Sequence, residues 1–130
     1  MIYLDASALV TLTLERAHVR ALEAFVDANG GRRLVTSTVG IVETVRACDL
    51  FGDFPDVLER MSAECDEVPI TREVRDRAAR LPARLRTLDA IHVASAESLG
   101  PDLVALVTYD RRMADAALSV GLPVAMPGVT

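Results

Sequence analysis

Two apolar runs constrain this chain more than any other feature. Ile2-Tyr3-Leu4 opens it, and Leu103-Val104-Ala105-Leu106-Val107-Thr108-Tyr109 is its strongest strand pattern; each run halts on an aspartate, Asp5 and Asp110. Apolar runs without alternation suit strands covered on both faces, as in a parallel sheet flanked by helices. In open α/β sheets ligands bind beyond the carboxyl ends of the strands, so Asp5 and Asp110 stand where chemistry collects if the two strands are neighbours. Taken alone, Asp5 is better explained as the cap of the helix that follows it.

Between the two runs the periodicity predicts further elements. Ser7 is a candidate cap for a helix through about Leu14, and Ala17 to about Ala28 places Val19, Leu22, Phe25 and Val26 at helical spacing before Asn29-Gly30-Gly31 stops it. Leu34-Val35-Thr36-Ser37 reads as a strand. Val39 to about Phe51 reads as a helix, Gly52 to Pro55 as a loop and Asp56 to about Glu64 as a short helix. Glu67-Val68-Pro69-Ile70 reads as a weak strand that Pro69 assigns to a sheet edge. Helices follow over Thr71 to about Leu81 and from a Thr87 cap onward, the second rich in small apolar residues and ended by Gly100-Pro101. After Asp110 come a helix to about Val120, a Gly121 stop and a last short strand, Pro123 to Met126. Strands alternating with helices through short connections predict one doubly wound α/β layer, with no repeat, linker or second domain.

Composition excludes several chemistries. All fourteen basic residues are Arg and none is Lys, so a Walker A lysine, a Schiff-base lysine and the lysine of phosphoryl-transfer receiver domains are absent. Cys48 and Cys65 have neither CxxC spacing nor paired histidines, which predicts two buried reduced thiols. No apolar run is long enough for a bilayer and no basic leader precedes Ile2, so the expectation is a cytoplasmic protein without membrane contact. The net charge of −5 argues against a broad nucleic-acid-coating surface. Six arginines between Arg72 and Arg86 face only Glu73 and Asp76, a local charge of +4. Such a run is most often a solvated helix face, and as a set it suits phosphates or an acidic partner.

Two more acids bear on the sheet edge. Glu43 sits inside an apolar helix, where a pair with Arg46 at i,i+3 explains it equally well. Asp89 lies in the first turn of the helix begun by Thr87, where the backbone dipole favours a negative side chain. His92, one turn on, reads as a packed or hydrogen-bonded core residue outside the chemistry. If all four acids face one crevice they repel one another, and a hard divalent cation that takes oxygen ligands is the natural remedy. One or two such ions lower the pKa of a bound water and steady both oxygens of an in-line phosphodiester displacement.

The segments IYLDASAL, ETVR around Glu43, TLDAIHVASA around Asp89 and VTYDRRMADAA around Asp110 resemble the motifs of PIN-domain ribonucleases, and more narrowly those of the VapC toxins of bacterial toxin–antitoxin pairs. The resemblance runs nearly end to end, loosest around Glu43. It implies a single PIN-like domain over 1–130, a three-layer α/β sandwich whose mostly parallel central sheet of four to five strands is flanked by helices. It further implies that Asp5, Glu43, Asp89 and Asp110 hold Mg²⁺, or alternatively Mn²⁺, with Thr108 as a supporting hydroxyl. The implied partners are an RNA substrate, a second copy in a homodimer, and a VapB-like antitoxin whose C-terminal tail covers the acidic groove. Arg86, Arg111 and Arg112 are then candidates for flanking RNA phosphates, Asp115 is peripheral, and the Arg72 to Arg86 strip has no assigned role.

Two other readings compete. A phosphatase or receiver-type domain with Asp5 as phosphorylated nucleophile lacks the expected lysine and a second acid at position 6 or 7. A non-catalytic PIN-like interaction module keeps the fold and binds only a partner; absence of Mg²⁺ or Mn²⁺ binding by the partner-free protein would favour it.

Overall fold

The computed structural model describes residues 1–50 and 56–130. Five strands, β1 (Ile2–Leu4), β2 (Leu34–Ser37), β3 (Asp66–Val68), β4 (Ala105–Val107) and β5 (Val124–Ala125), form one sheet in the order β3-β2-β1-β4-β5. Every pairing is parallel, with Tyr3 opposite Val35 on one side and Leu106 on the other. The two apolar runs that open the sequence argument are therefore neighbours at the centre of the sheet. The chain builds outward from β1 to β3, then returns to the far side of β1 and builds outward again through β4 and β5. The order thus reverses between β1 and β4, which is where a doubly wound sheet opens its binding crevice.

Helices α1 (Ala6–Thr13), α2 (Val19–Ala28), α3 (Thr38–Asp49) and α4 (Val57–Glu64) precede β3, and α5 (Arg72–Arg80), α6 (Thr87–Glu97) and α7 (Arg111–Ser119) follow it, with a 3-10 turn at Gly100–Asp102. They cover both faces. Ile2 and Leu4 pack with Leu9, Leu22, Cys48, Val57 and Met61 on one side, while Tyr3 packs with Val74, Val93, Leu106 and Met113 on the other. All three β1 side chains are completely buried. That explains why β1 shows no alternation: each face of the strand meets its own apolar layer, and each such side chain contributes about 1.5–3 kcal/mol by leaving water.

The local details differ from the sequence reading in four places. Asp5, not Ser7, caps α1, because its carboxylate reaches the Ala8 N–H while Ser7 turns to other partners. Arg86 takes the cap position of α6 without a side-chain bond, leaving Thr87 as the first helical residue. β4 runs only over Ala105–Val107 rather than Leu103 to Tyr109, the outer strands are also shorter than expected, and β3 stops at Val68 since Pro69 has no N–H to continue the ladder. α3 ends at Asp49 with Leu50 as its C-cap, short of the expected end; Phe51 and the loop expected over Gly52 to Pro55 lie outside the described residues. β3 is an edge strand as Pro69 implied, and Cys48 and Cys65 are buried free thiols, burial raising the Cys65 pKa to about 11. Among the described residues no helix is long and apolar enough to cross a membrane.

Candidate active site

The site grows from the carboxyl ends of β1 and β4. The Asp5 N–H donates to the Val107 carbonyl at 3.2 Å, which carries the pairing one residue past the strands and sets Asp5 beside Thr108. Thr108, fully buried, donates its hydroxyl proton to Asp5 Oδ2 at 2.5 Å and accepts the Asp110 N–H at 3.0 Å. Ser7 mirrors it, donating to Asp5 Oδ1 at 2.6 Å and accepting the Tyr109 N–H at 2.9 Å. With the Ala8 N–H at 3.0 Å, the Asp5 carboxylate accepts three hydrogen bonds while only 3% exposed. Burial nevertheless dominates and raises its pKa above the usual carboxylate value.

Asp110 caps α7, accepting the Arg112 N–H at Oδ1. Asp89 projects from the first turn of α6, where burial raises its pKa, Asp110 and Glu43 push it further up, and Arg86 and His92 oppose them. Glu43 comes from α3, and its Oε1 lies 2.6 Å from Nε2 of His92. A carboxylate only accepts, so His92 Nε2 carries the donated proton. On the other side of the ring, Nδ1 lies within hydrogen-bond distance, 2.7 Å, of the Tyr3 hydroxyl, whose pKa burial raises. Glu43 thus turns to His92 rather than to Arg46.

A pocket of about 300 Å³ is lined by Asp5, Glu43, Asp89 and Asp110 together with Ser7, Arg86 and His92. The structure therefore brings all four predicted acids to one crevice at the switch point of the sheet. Among the described residues no three His, Cys, Asp or Glu side chains converge tightly enough to hold an ion as placed. The donor set still fits a hard dication: it is all oxygen, and the upward push of Asp110 and Glu43 on the Asp89 pKa is what a positive ion between them relieves.

Of the arginines considered for phosphates, only Arg86 borders the pocket; Arg111 and Arg112 are exposed and do not line it, and Asp115 lies with Arg111 at a separate depression. Within the Arg72 to Arg86 strip, Arg77 grips Glu97 at 2.5 and 3.0 Å and Arg75 meets Asp76. Exposed pairs of this kind are worth about 0–1 kcal/mol. Sequence reasoning missed Ser7 and His92. Ser7 stands two residues after Asp5 and His92 three after Asp89, spacings that put each on the wall of the same pocket. A larger depression of about 750 Å³ adjoins the acids, sharing Glu43 and Leu88 and exposing Val42 and Leu50.

A PIN domain family model matches residues 2–118. The chain is 37% identical to ribonuclease VapC47 of Mycobacterium tuberculosis (strain CDC 1551 / Oshkosh) over 98% of each sequence. It is 40% identical to ribonuclease VapC46 of M. tuberculosis (strain ATCC 25618 / H37Rv) over 97% of each. Among solved structures, a chain of a toxin–antitoxin complex from Klebsiella pneumoniae shares the fold at a TM-score of 0.72 and 18% identity, with 100% of both chains covered. VapC20 of M. tuberculosis, described as a sarcin–ricin loop cleaving toxin, shares it at 0.71 and 16% identity, covering 98% of this chain and 100% of the other.

Proposed function

This chain belongs to the PIN domain family, and from that premise we propose that it is a ribonuclease toxin of a type II toxin–antitoxin pair, hydrolysing RNA phosphodiester bonds at the four-carboxylate pocket with a divalent cation. The observation that carries this reading is the joint presence of full-length likeness to VapC ribonucleases and of Asp5, Glu43, Asp89 and Asp110 on the wall of one crevice. In this reading the domain fills residues 1–130, acts in the cytoplasm as a homodimer, and uses Mg²⁺ or Mn²⁺.

Asp5, Asp89, Asp110 and Glu43 are the residues to hold the cation. Bound there, it supplies Lewis acidity toward a non-bridging phosphate oxygen and neutralises charge developing during in-line displacement. The remaining work belongs to the protein. Ser7 and Thr108 each donate to one oxygen of Asp5, so that carboxylate enters the reaction already oriented. Asp89, which accepts no hydrogen bond among the described residues, is the carboxylate available to take a proton from an attacking water. Arg86, on the rim, offers a guanidinium to a flanking phosphate and offsets the repulsion that an acidic pocket presents to a polyanion. The apolar depression beside Glu43, with Val42, Leu50 and Leu88 exposed, suits apolar side chains of an antitoxin tail laid over the acids.

The test is incubation of the purified, partner-free protein and its Asp5→Asn variant with total cellular RNA, with and without Mg²⁺ or Mn²⁺, and mapping of the cut ends. Metal-dependent cutting by the parent alone is expected. Cutting by both proteins, or by neither, overturns the assignment of this pocket.

A further inference from the structure

We infer that His92, seated on Tyr3, is a positioning residue that fixes the Glu43 carboxylate in the acidic pocket and so sets the affinity of the site for its dication. The inference rests on the metal-site reading above and adds residues that reading does not contain.

Glu43 is the one acid of the four whose carboxylate hangs on three rotatable bonds, and its side chain is 31% exposed. Left alone beside Asp89 and Asp110, a flexible anion swings outward to water. The contact at 2.6 Å from His92 Nε2 prevents this, holding Oε1 against the pocket wall and leaving Oε2 for a ligand. The imidazole itself has nowhere to go. It is 1% exposed, its Nδ1 is held by the Tyr3 hydroxyl, and its ring meets the Tyr3 ring edge-on at 5.8 Å. Tyr3 is in turn fully buried in the central strand that ends on Asp5.

Two further features tie the device to the site. Asp89 and His92 are one turn apart on α6, so a bond from His92 to Glu43 registers α3 against the helix that carries Asp89. Gly40, one turn before Glu43 on α3, has no side chain where a Cβ would come within 3.2 Å of His92 Cε1 and 2.1 Å of Thr36 Oγ1. The bare backbone at Gly40 lets α3 approach closely enough for Glu43 to reach the imidazole. Partners that hold a ligating group in this way typically change metal affinity 10–100-fold when removed.

The test uses the full-length protein and Mn²⁺ alone, titrated calorimetrically, with cleavage of a defined RNA as a second readout. His92→Leu is expected to weaken Mn²⁺ binding at least tenfold, Tyr3→Phe by a smaller factor, and His92→Gln, whose amide donates at the position of Nε2, to recover part of the loss. In a Glu43→Gln background His92→Leu is expected to add nothing further, because the two residues act as one unit. Wild-type affinity in folded His92→Leu, or full additivity with Glu43→Gln, overturns the inference. If His92→Leu does not fold, Tyr3→Phe decides, and unchanged affinity overturns it. Failure of the parent to bind Mn²⁺ at all sinks the metal-site reading instead, so the two failures are distinguishable.

Discussion

Replacing Asp5 by Asn gives a prediction whose sign runs against ordinary expectation for a buried, hydrogen-bonded residue. The carboxylate accepts from Ser7, Thr108 and Ala8, yet burial still raises its pKa. An asparagine oxygen in place of Oδ1 keeps the Ser7 and Ala8 bonds, while its amide replaces the acceptor that Thr108 uses, a loss of about 1 kcal/mol. Against this, removing an ionisable group returns about 1.4 kcal/mol for each unit by which folding raised its pKa. The expectation in metal-free buffer at pH 7 is that the variant melts above the parent. The pH dependence has a definite sign. A folded-state pKa above the unfolded one means that the parent keeps full stability below the unfolded value and loses it as pH rises through the folded value. The gap between variant and parent is therefore smallest below the unfolded carboxylate value and widest once the pH has passed the raised folded-state value. A saturating dication reverses the order, since it stabilises only the parent, by about 2.7 kcal/mol at a hundred times Kd. Thermal melts across pH 4–8, with chelator and with Mn²⁺, read all of this. A variant less stable than the parent in chelator at pH 8, or parent melting unaffected by Mn²⁺, refutes the reasoning.

Thr108→Val, nearly isosteric, deletes the donor to Asp5 Oδ2 and the acceptor for the Asp110 N–H at once; it is expected to cost about 1–3 kcal/mol by chemical denaturation and to lower kcat, and wild-type kcat would discount the hydroxyl. Gly40→Ala pushes a methyl into Thr36 Oγ1 and the His92 ring, for an expected loss of about 1–3 kcal/mol and a drop in Mn²⁺ affinity; unchanged melting would show that Thr36 rotates away freely. Arg86→Gln removes a pocket-rim cation and is expected to raise KM for RNA with little change in kcat, and to flatten the salt dependence of RNA binding by roughly one phosphate contact; a salt slope equal to the parent's would place the phosphates elsewhere.

The parallel architecture was legible because Ile2–Leu4 and the run around Leu106 carry no alternation, the mark of strands buried on both faces. The gathering of Asp5 and Asp110 followed from the same runs, since each acid ends a strand and the strands proved adjacent. Glu43 and Asp89 were legible as candidates, and the resemblance strengthened them, because helix periodicity says that a residue sits on an apolar helix, not which way its carboxylate turns. His92 escaped as part of the site because a histidine packed in a core and one that also steers a neighbouring acid look alike in sequence; it is both. The caps were misassigned for a related reason. Asp, Ser and Thr all cap helices, and at the start of α1 Asp5 takes the cap because Ser7 is drawn toward Tyr109 of the neighbouring strand's continuation. Arg86 borders the acids while Arg111 and Arg112, nearer in sequence to Asp110, face solvent.

Anomalous diffraction from crystals of the partner-free protein grown with Mn²⁺ tests most directly whether these acids share a cation. A peak between Asp5, Asp89 and Asp110 with Glu43 turned to the same ion, lost in Asp5→Asn crystals, is the predicted result. Metal-dependent RNA cleavage by a protein whose crystals place Mn²⁺ away from these four side chains would contradict the account.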